Sequence, residues 1–324
     1  MILLCSLIDW LGILPFEEKR MEFLLTYLTR LVVNDGAKFW LTKKASATVG
    51  REPRFLLMFI TAAVIAGALG PWTFDRTFWT IAAVGFVQAF GTYCHWRAFD
   101  ISMSKASLYA WPDDVFAMLL AVVYLKEVHV LNVPMALGIL CSLGAMVLFM
   151  RSDAAKKNDA GKSNPRMLWL WILGYSGLWG GAFFSLKYFA VKEVPVLAFI
   201  QPWYLGAVLA AFIVCGIAVR GRAFKGIAAL PAASLAISGA LGIAILLSLV
   251  LTFSVLRLAP LVVAQPMFLV TESVIPALIG LLELKVLGFK LGFSEGQDYT
   301  LFDWMCFGLG VLGVCLIAIG YART

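Results

Sequence analysis

Ser-Lys-Ala-Ser-Leu-Tyr-Ala-Trp-Pro-Asp-Asp-Val-Phe-Ala-Met-Leu-Leu-Ala-Val-Val-Tyr-Leu-Lys-Glu, residues Ser104 to Glu127, is a run long enough to cross a bilayer as one helix. Lys105 and Lys126 stand near its ends, and Asp113 and Asp114 fall near its middle. A helix rises about 1.5 Å per residue, which sets the aspartates roughly 12–14 Å from the Lys105 end. In a hydrocarbon core about 30 Å thick, that depth is close to the midplane. A carboxylate there is costly to place against lipid. It is expected to face protein or water, and by default it marks a transport pathway.

The rest of the composition agrees with a membrane setting. The chain has 324 residues, 62% of them hydrophobic and 14% charged, with a mean hydropathy of +0.90. Soluble domains are nearer 45–50% apolar and about 25% charged. The net charge of +7 comes from basic residues clustered between apolar segments, so it points to membrane topology and no nucleic-acid partner. Six cysteines lie scattered through apolar stretches without a CxxC pair, and read as buried thiols. The two histidines, His95 and His129, have no metal-ligand spacing. No phosphate-cradling glycine loop, nucleophile elbow or zinc-protease motif is present in the sequence, and the expectation is a protein that is not an enzyme and needs no cofactor.

Residues 1–21 form a short apolar extension, with Asp9 inside it and Met21 as an alternative start. From Glu22 onward the hydropathy predicts ten spans, near 22–42, 54–71, 77–99, 105–126, 130–150, 167–189, 195–219, 229–256, 260–282 and 302–321. The polar stretch Arg151–Arg166 reads as a flexible linker between two five-helix units, 22–150 and 167–324. The units echo each other weakly. Gly36-Ala37-Lys38-Phe39-Trp40-Leu41-Thr42-Lys43 is echoed by Gly181-Ala182-Phe183-Phe184-Ser185-Leu186-Lys187, and at a constant offset Asp113 falls on Glu272 and Lys126 on Lys285. An odd number of spans per unit requires the copies to insert with opposite orientation. Inverted repeats of this kind place a binding site at their interface, near mid-membrane.

The run Asp114-Val115-Phe116-Ala117-Met118-Leu119-Leu120-Ala121-Val122-Val123-Tyr124-Leu125-Lys126-Glu127 resembles the fourth-helix signature of EamA-type transporters of the drug/metabolite transporter superfamily. That signature runs Pro-Val-Phe, then small and aliphatic residues, then Gly-Glu. Gly138 and Gly144, Trp179-Gly180 with Lys187, and Ala98-Phe99 are similar to the family's landmarks in its fifth helix, the start of its sixth and the end of its third. The resemblance spans Glu22 to Tyr321 and implies an all-α fold of ten transmembrane helices in two inverted repeats. It also implies secondary transport of amino acids, related metabolites or drugs, outward. The chain departs from the pattern at Asp114 (for Pro), Lys126 (for Gly), Asn34-Asp35 (for Trp-Gly) and Val286 (for the second terminal Glu).

Helical spacing sorts the candidate site residues. Lys105, Tyr109, Asp113 and Phe116 share one stripe of the fourth span, with Asp114 about 100° further round. The expectation is Asp113 toward a cavity and Asp114 hydrogen-bonded to a neighbouring helix. The ninth span presents Gln265, Phe268 and Glu272 on one face, with Pro276 placed to remove the hydrogen bond to the Glu272 carbonyl; Pro112 does the same to Leu108 in the fourth. The third span carries Gln88, Thr92 and His95 in register, with Arg97 near its end, either as a partner for an acid or snorkelling to the interface. Tyr109, Trp111 and Trp179 are candidates for an aromatic lining. Lys126 and Glu127, at a helix end, read as solvated or close to a gate.

The sequence therefore predicts a multi-pass membrane protein, of the inner plasma membrane in a bacterial cell. It would transport a small polar or amphipathic metabolite by alternating access, with protons as the coupling ion. Extrusion of organic cations is the alternative within transport, and a membrane-embedded enzyme acting on lipid carriers is the alternative outside it. Fifteen lysines and arginines fall on the side of the Arg151–Arg166 linker and seven on the other, which puts the linker in the cytoplasm.

Overall fold

The structure, a computed structural model, describes residues 18–101, 112–156, 165–218, 222–272 and 300–322. Runs of Leu, Val, Ile, Ala and Phe separated by Gly- and Pro-bearing turns fold as helices, and no strand occurs among the described residues. Helix α1 (Glu18–Leu31) passes through a π-helical segment (Val32–Lys38) into α2 (Phe39–Thr48) as one rod. There follow α3 (Arg51–Leu69), α4 (Arg76–Ile101), α5 (Pro112–Tyr124), a 3-10 turn (Glu127–Val130) and α6 (Val133–Lys156). The second part holds α7 (Pro165–Val191), α8 (Val196–Ala218), the short α9 (Arg222–Ala228), α10 (Ala232–Leu258), α11 (Leu261–Glu272) and α12 (Leu301–Ala322). Five of these, α3, α7, α8, α10 and α12, are long and apolar enough to cross a membrane. The chain has the build of a helical membrane protein.

Helix ends differ from the hydropathy reading where helix propensity outlasts apolarity. The first rod continues to Thr48 because neither Gly nor Pro interrupts it between Gly36 and Gly50. Arg151–Lys156, expected as the start of a flexible linker, extends α6, and Pro165 already opens α7. Ala and Lys are good helix formers and carry the helix past the apolar layer. Proline at a helix's first position costs nothing, since its missing N–H would have been unpaired there. Pro276 and Leu108 lie outside the described residues, and with them the expected paired kinks.

Small residues bring the helices together. Helix α4 crosses α8 so closely that a Cβ at Gly85 would lie 2.1 Å from the Trp203 carbonyl oxygen, and one at Gly206 would lie 1.8 Å from that of Ala82. Between lipid-exposed helices such close backbone approach replaces the hydrophobic drive available in water. Helix α7 packs against α4, α5 and α10, while α10 also lies along α1 and the π segment. Where α5 meets α7, a Cβ at Gly180 would stand 2.7 Å from the Asp113 carbonyl oxygen. This crossing holds the acidic start of α5 against the middle of α7.

Candidate functional site

Two buried polar constellations occupy the bundle. The first is centred on Arg30, whose side chain is 1% exposed. Its Nη2 donates to Glu272 Oε1 at 2.7 Å, and its Nε donates to Thr252 Oγ1 on α10 at 3.1 Å. The guanidinium lies 3.6 Å over the Phe268 ring. Arg30 Nη1 stands 3.9 Å from Asp35 Oδ2. The widened π turn directs Asn34 and Asp35 into the protein, where both are buried. Single π turns inside α-helices are frequent at functional sites. The Asn34 amide nitrogen donates to Asp35 Oδ1 and, at 3.2 Å, to Glu272 Oε1. Its carbonyl oxygen accepts from Lys38 Nζ and, at 2.6 Å, from Ser248 Oγ.

The aspartates of α5 adjoin this hub. Asp113 is 3% exposed and Asp114 is 7% exposed. Asp113 accepts a hydrogen bond from the Tyr175 hydroxyl on α7. The Tyr175 ring stacks on His95 of α4, centroids 4.1 Å apart, and adjoins Trp179. Asp114 points the other way and accepts from Gln265 Nε2 on α11, the neighbouring-helix contact expected of it. Glu272 is close enough to act electrostatically on both aspartates, and Arg30 on Asp114. The region thus holds four carboxylates (Asp35, Asp113, Asp114, Glu272) and two cations (Arg30, Lys38). Among the described residues, neither Asp113 nor Asp114 has a cation within ion-pair distance. No group of three or more His, Cys, Asp and Glu side chains among them is placed to hold a metal ion.

The second constellation ties helix ends together. Lys187 Nζ on α7 donates at 2.8 Å to the carbonyls of Leu256 and Ala259, the C-terminal turn of α10. It also pairs with Glu127 Oε1 at 3.7 Å. Glu127 Oε2 in turn accepts from the Val262 backbone N–H at 3.1 Å, in the first turn of α11. A cation on terminal carbonyls and a carboxylate on initial N–H groups are the two favoured ways to satisfy helix ends. Glu127, expected to be solvated or close to a gate, is buried. Lys126 just before it adopts φ 57° and ψ 32°, the left-handed conformation that commonly ends a helix and that favours glycine. The position at which the EamA signature has Gly thus has a backbone that wants one.

The sequence-derived candidates divide accordingly. Asp113, His95 and Trp179 meet around Tyr175, and Asp114, Gln265 and Glu272 meet along α11. Gln88 is buried and donates to Thr92 on its own helix at 2.8 Å. Arg97 is not beside the carboxylates; it lies 5.5 Å from the Trp171 ring and near Glu52. Two positions past His95 it is turned to another face of α4, and Arg30 is the arginine that pairs with Glu272. Tyr109 and Trp111 lie outside the described residues. Sequence reasoning raised Lys38 but missed Arg30, Asn34 and Asp35 as site residues, yet Arg30, Asn34 and Lys38 recur at steps of four in an apolar span, a stripe as telling as that of the fourth span.

No family model and no curated protein matches this sequence. A solved structure, described only as the crystal structure of a protein, resembles the chain with a TM-score of 0.65 at 15% identity. The likeness covers 91% of this chain and 97% of the other. At that identity it establishes a shared fold over nearly the whole of both chains, and nothing about activity.

Proposed function

We propose that the protein is a secondary transporter of the EamA type, with ten spans in two inverted five-helix repeats. It moves a small polar or amphipathic metabolite outward by alternating access, coupled to protons, across a plasma membrane. The observation that carries this reading is the excess of carboxylate over cation in the middle of the bundle. A buried charge without a counter-charge is too costly to keep for packing alone, and inside a membrane such groups mark substrate or proton routes. Protons or a positively charged group of the substrate supply the missing charge.

The helix contacts support the repeat. Exchanging the first five spans with the last five turns the α4–α8 contact into α10–α3, and α4–α7 into α10–α1. Contacts α3–α8 and α6–α12 map onto themselves. Asp113 and Glu272 exchange under the same operation, one carboxylate from each unit. The aromatic run Tyr175, Trp179 and Phe183 beside Asp113 favours a second reading, extrusion of organic cations, whose charge ring faces attract.

Reconstitution into proteoliposomes tests both. Thermal-shift screening against metabolites and organic cations selects ligands, because whatever binds the native state raises its stability. Counterflow and proton-driven flux of the selected compounds then decide. Flux that responds to a pH gradient supports the transporter, and binding without flux for every ligand overturns it. In intact cells, a cysteine introduced at Ser163 should resist an impermeant thiol reagent if the linker is cytoplasmic.

A further inference from the structure

We propose that Arg30 is an ionic switch, exchanging its partner between Glu272 on α11 and Asp35 on the π turn during the transport cycle. The inference rests on the transport reading and assigns its moving part.

Two buried atoms carry the argument. Arg30 Nη1 and Asp35 Oδ2 both lack a hydrogen-bond partner, and they face each other across 3.9 Å. Buried polar atoms are ordinarily paired, and an orphaned pair in a native bundle needs a reason. Here the reason is geometric. The other arm of the same guanidinium, Nη2, is drawn to Glu272 at 2.7 Å. A displacement of about 1 Å would bring Nη1 and Asp35 to hydrogen-bond length. The guanidinium is held at its neck, by Thr252 on Nε and by the Phe268 ring beneath its plane, so a small rotation of its fork trades one carboxylate for the other.

Asn34 is built for the same exchange, since its one amide nitrogen already serves Asp35 Oδ1 and Glu272 Oε1. Both donors converge on a single oxygen of Glu272, whose side chain is 45% exposed, while that of Asp35 is 0% exposed. The two partners thus differ in kind. Asp35 is enclosed and fixed on the rod, and Glu272 sits where substrate or a proton could reach it. When Arg30 turns to Asp35, Glu272 loses its counter-charge and becomes free to accept one from the pathway. When substrate or proton leaves, Glu272 recovers Arg30, and α11 is drawn back against α1.

Hydrogen–deuterium exchange of the purified full chain in nanodiscs, read over residues 261–272, tests this without any substrate. Glu272→Gln should speed exchange there roughly tenfold, the scale of one lost charged hydrogen bond. Asp35→Asn removes the competing partner, keeps Arg30 on Glu272 and should slow exchange. Asp35→Glu retains charge and adds one methylene across the gap, so it should capture Arg30 and speed exchange. A static packing role predicts faster exchange in all three, because each disturbs a buried network. Faster exchange in Asp35→Asn, or exchange in Asp35→Glu equal to wild type, overturns the switch. Opposite signs in those two variants uphold it, even where no substrate is found to move; in that case the transport reading fails alone.

Discussion

The Glu127–Lys187 clamp and the Arg30 hub both tie helices together through ion pairs, and they are finished differently. In the clamp Lys187 donates to two carbonyls and Glu127 accepts a backbone N–H, so each partner of the 3.7 Å ion pair is also held by hydrogen bonds to helix ends. In the hub, Arg30 Nη1 and Asp35 Oδ2 go without. A fully satisfied polar network rigidifies, whereas a partly satisfied one keeps an alternative arrangement within reach. The clamp joins the ends of α5, α7, α10 and α11, where the chain turns. The hub lies along the faces of α1, α10 and α11, which would slide in the proposed alternating-access cycle. One constellation anchors, and the other is placed to change.

Breaking the clamp should give the largest loss of stability. Lys187→Met leaves Glu127 buried without a cation and two terminal carbonyls of α10 without a donor. Loss of one partner from a buried pair costs about 3–5 kcal/mol. Chemical unfolding in detergent should show that loss, and the double variant Lys187→Met with Glu127→Gln should lose less than the two single losses added together. Additive losses would mean the residues act separately.

The clamp was also the part least legible in the sequence. Glu127 follows a helix in a short polar turn, a setting that ordinarily means solvent. Its burial depends on Val262, 135 positions away, arriving at the α10–α11 corner. Lys187 announced itself through resemblance and the internal repeat, neither of which names its partner. Asp113 and Glu272 stood out because a carboxylate inside an apolar run has no inexpensive place to go. Helix positions were legible for the same reason, from runs of apolar residues. Helix ends were less so, because apolarity stops before propensity does, as Arg151–Lys156 shows. Tyr175 gave no signal: in a chain with 14% aromatic residues, one more tyrosine reads as packing.

Between clamp and hub lies the Asp114–Gln265 contact, and its loss should be intermediate. Asp114→Ala leaves the Gln265 amide buried and unpaired, a cost of about 1–3 kcal/mol. Asp114→Asn should lose less, because the new amide can donate to Gln265 Oε1, which is buried and has no partner. Equal losses in the two variants would show that charge, and not pairing, holds this contact.

A smaller effect of opposite sign is expected beside the clamp. Lys126 carries a left-handed backbone at the end of α5, and its side chain is exposed. A non-glycine residue pays about 1–2 kcal/mol in that conformation, and glycine loses part of the gain to its freer unfolded chain. Lys126→Gly should therefore raise stability by about 0.5–1 kcal/mol, visible as a higher melting temperature. An unchanged or lower value would mean that the lysine side chain contributes to the turn that aims Glu127.

The least effect on stability and the greatest on transport should come from Asp113. It has no cation beside it among the described residues, and its hydrogen bond comes from Tyr175, which an amide oxygen can accept as well. Asp113→Asn preserves shape and removes a buried charge, so folding should stay within about 1 kcal/mol of wild type. In the proposed cycle its work is to take up a positive charge from the pathway and give it back. The amide cannot do this, and the pH dependence of flux, or the binding of a cationic ligand, should disappear. Glu272→Gln should show a similar but weaker defect, because Arg30 already supplies part of its counter-charge. Proteoliposome flux measured at several pH values compares them directly. Wild-type rates with unaltered pH dependence in both variants would remove the carboxylates from the mechanism and leave the hub, like the clamp, a matter of packing.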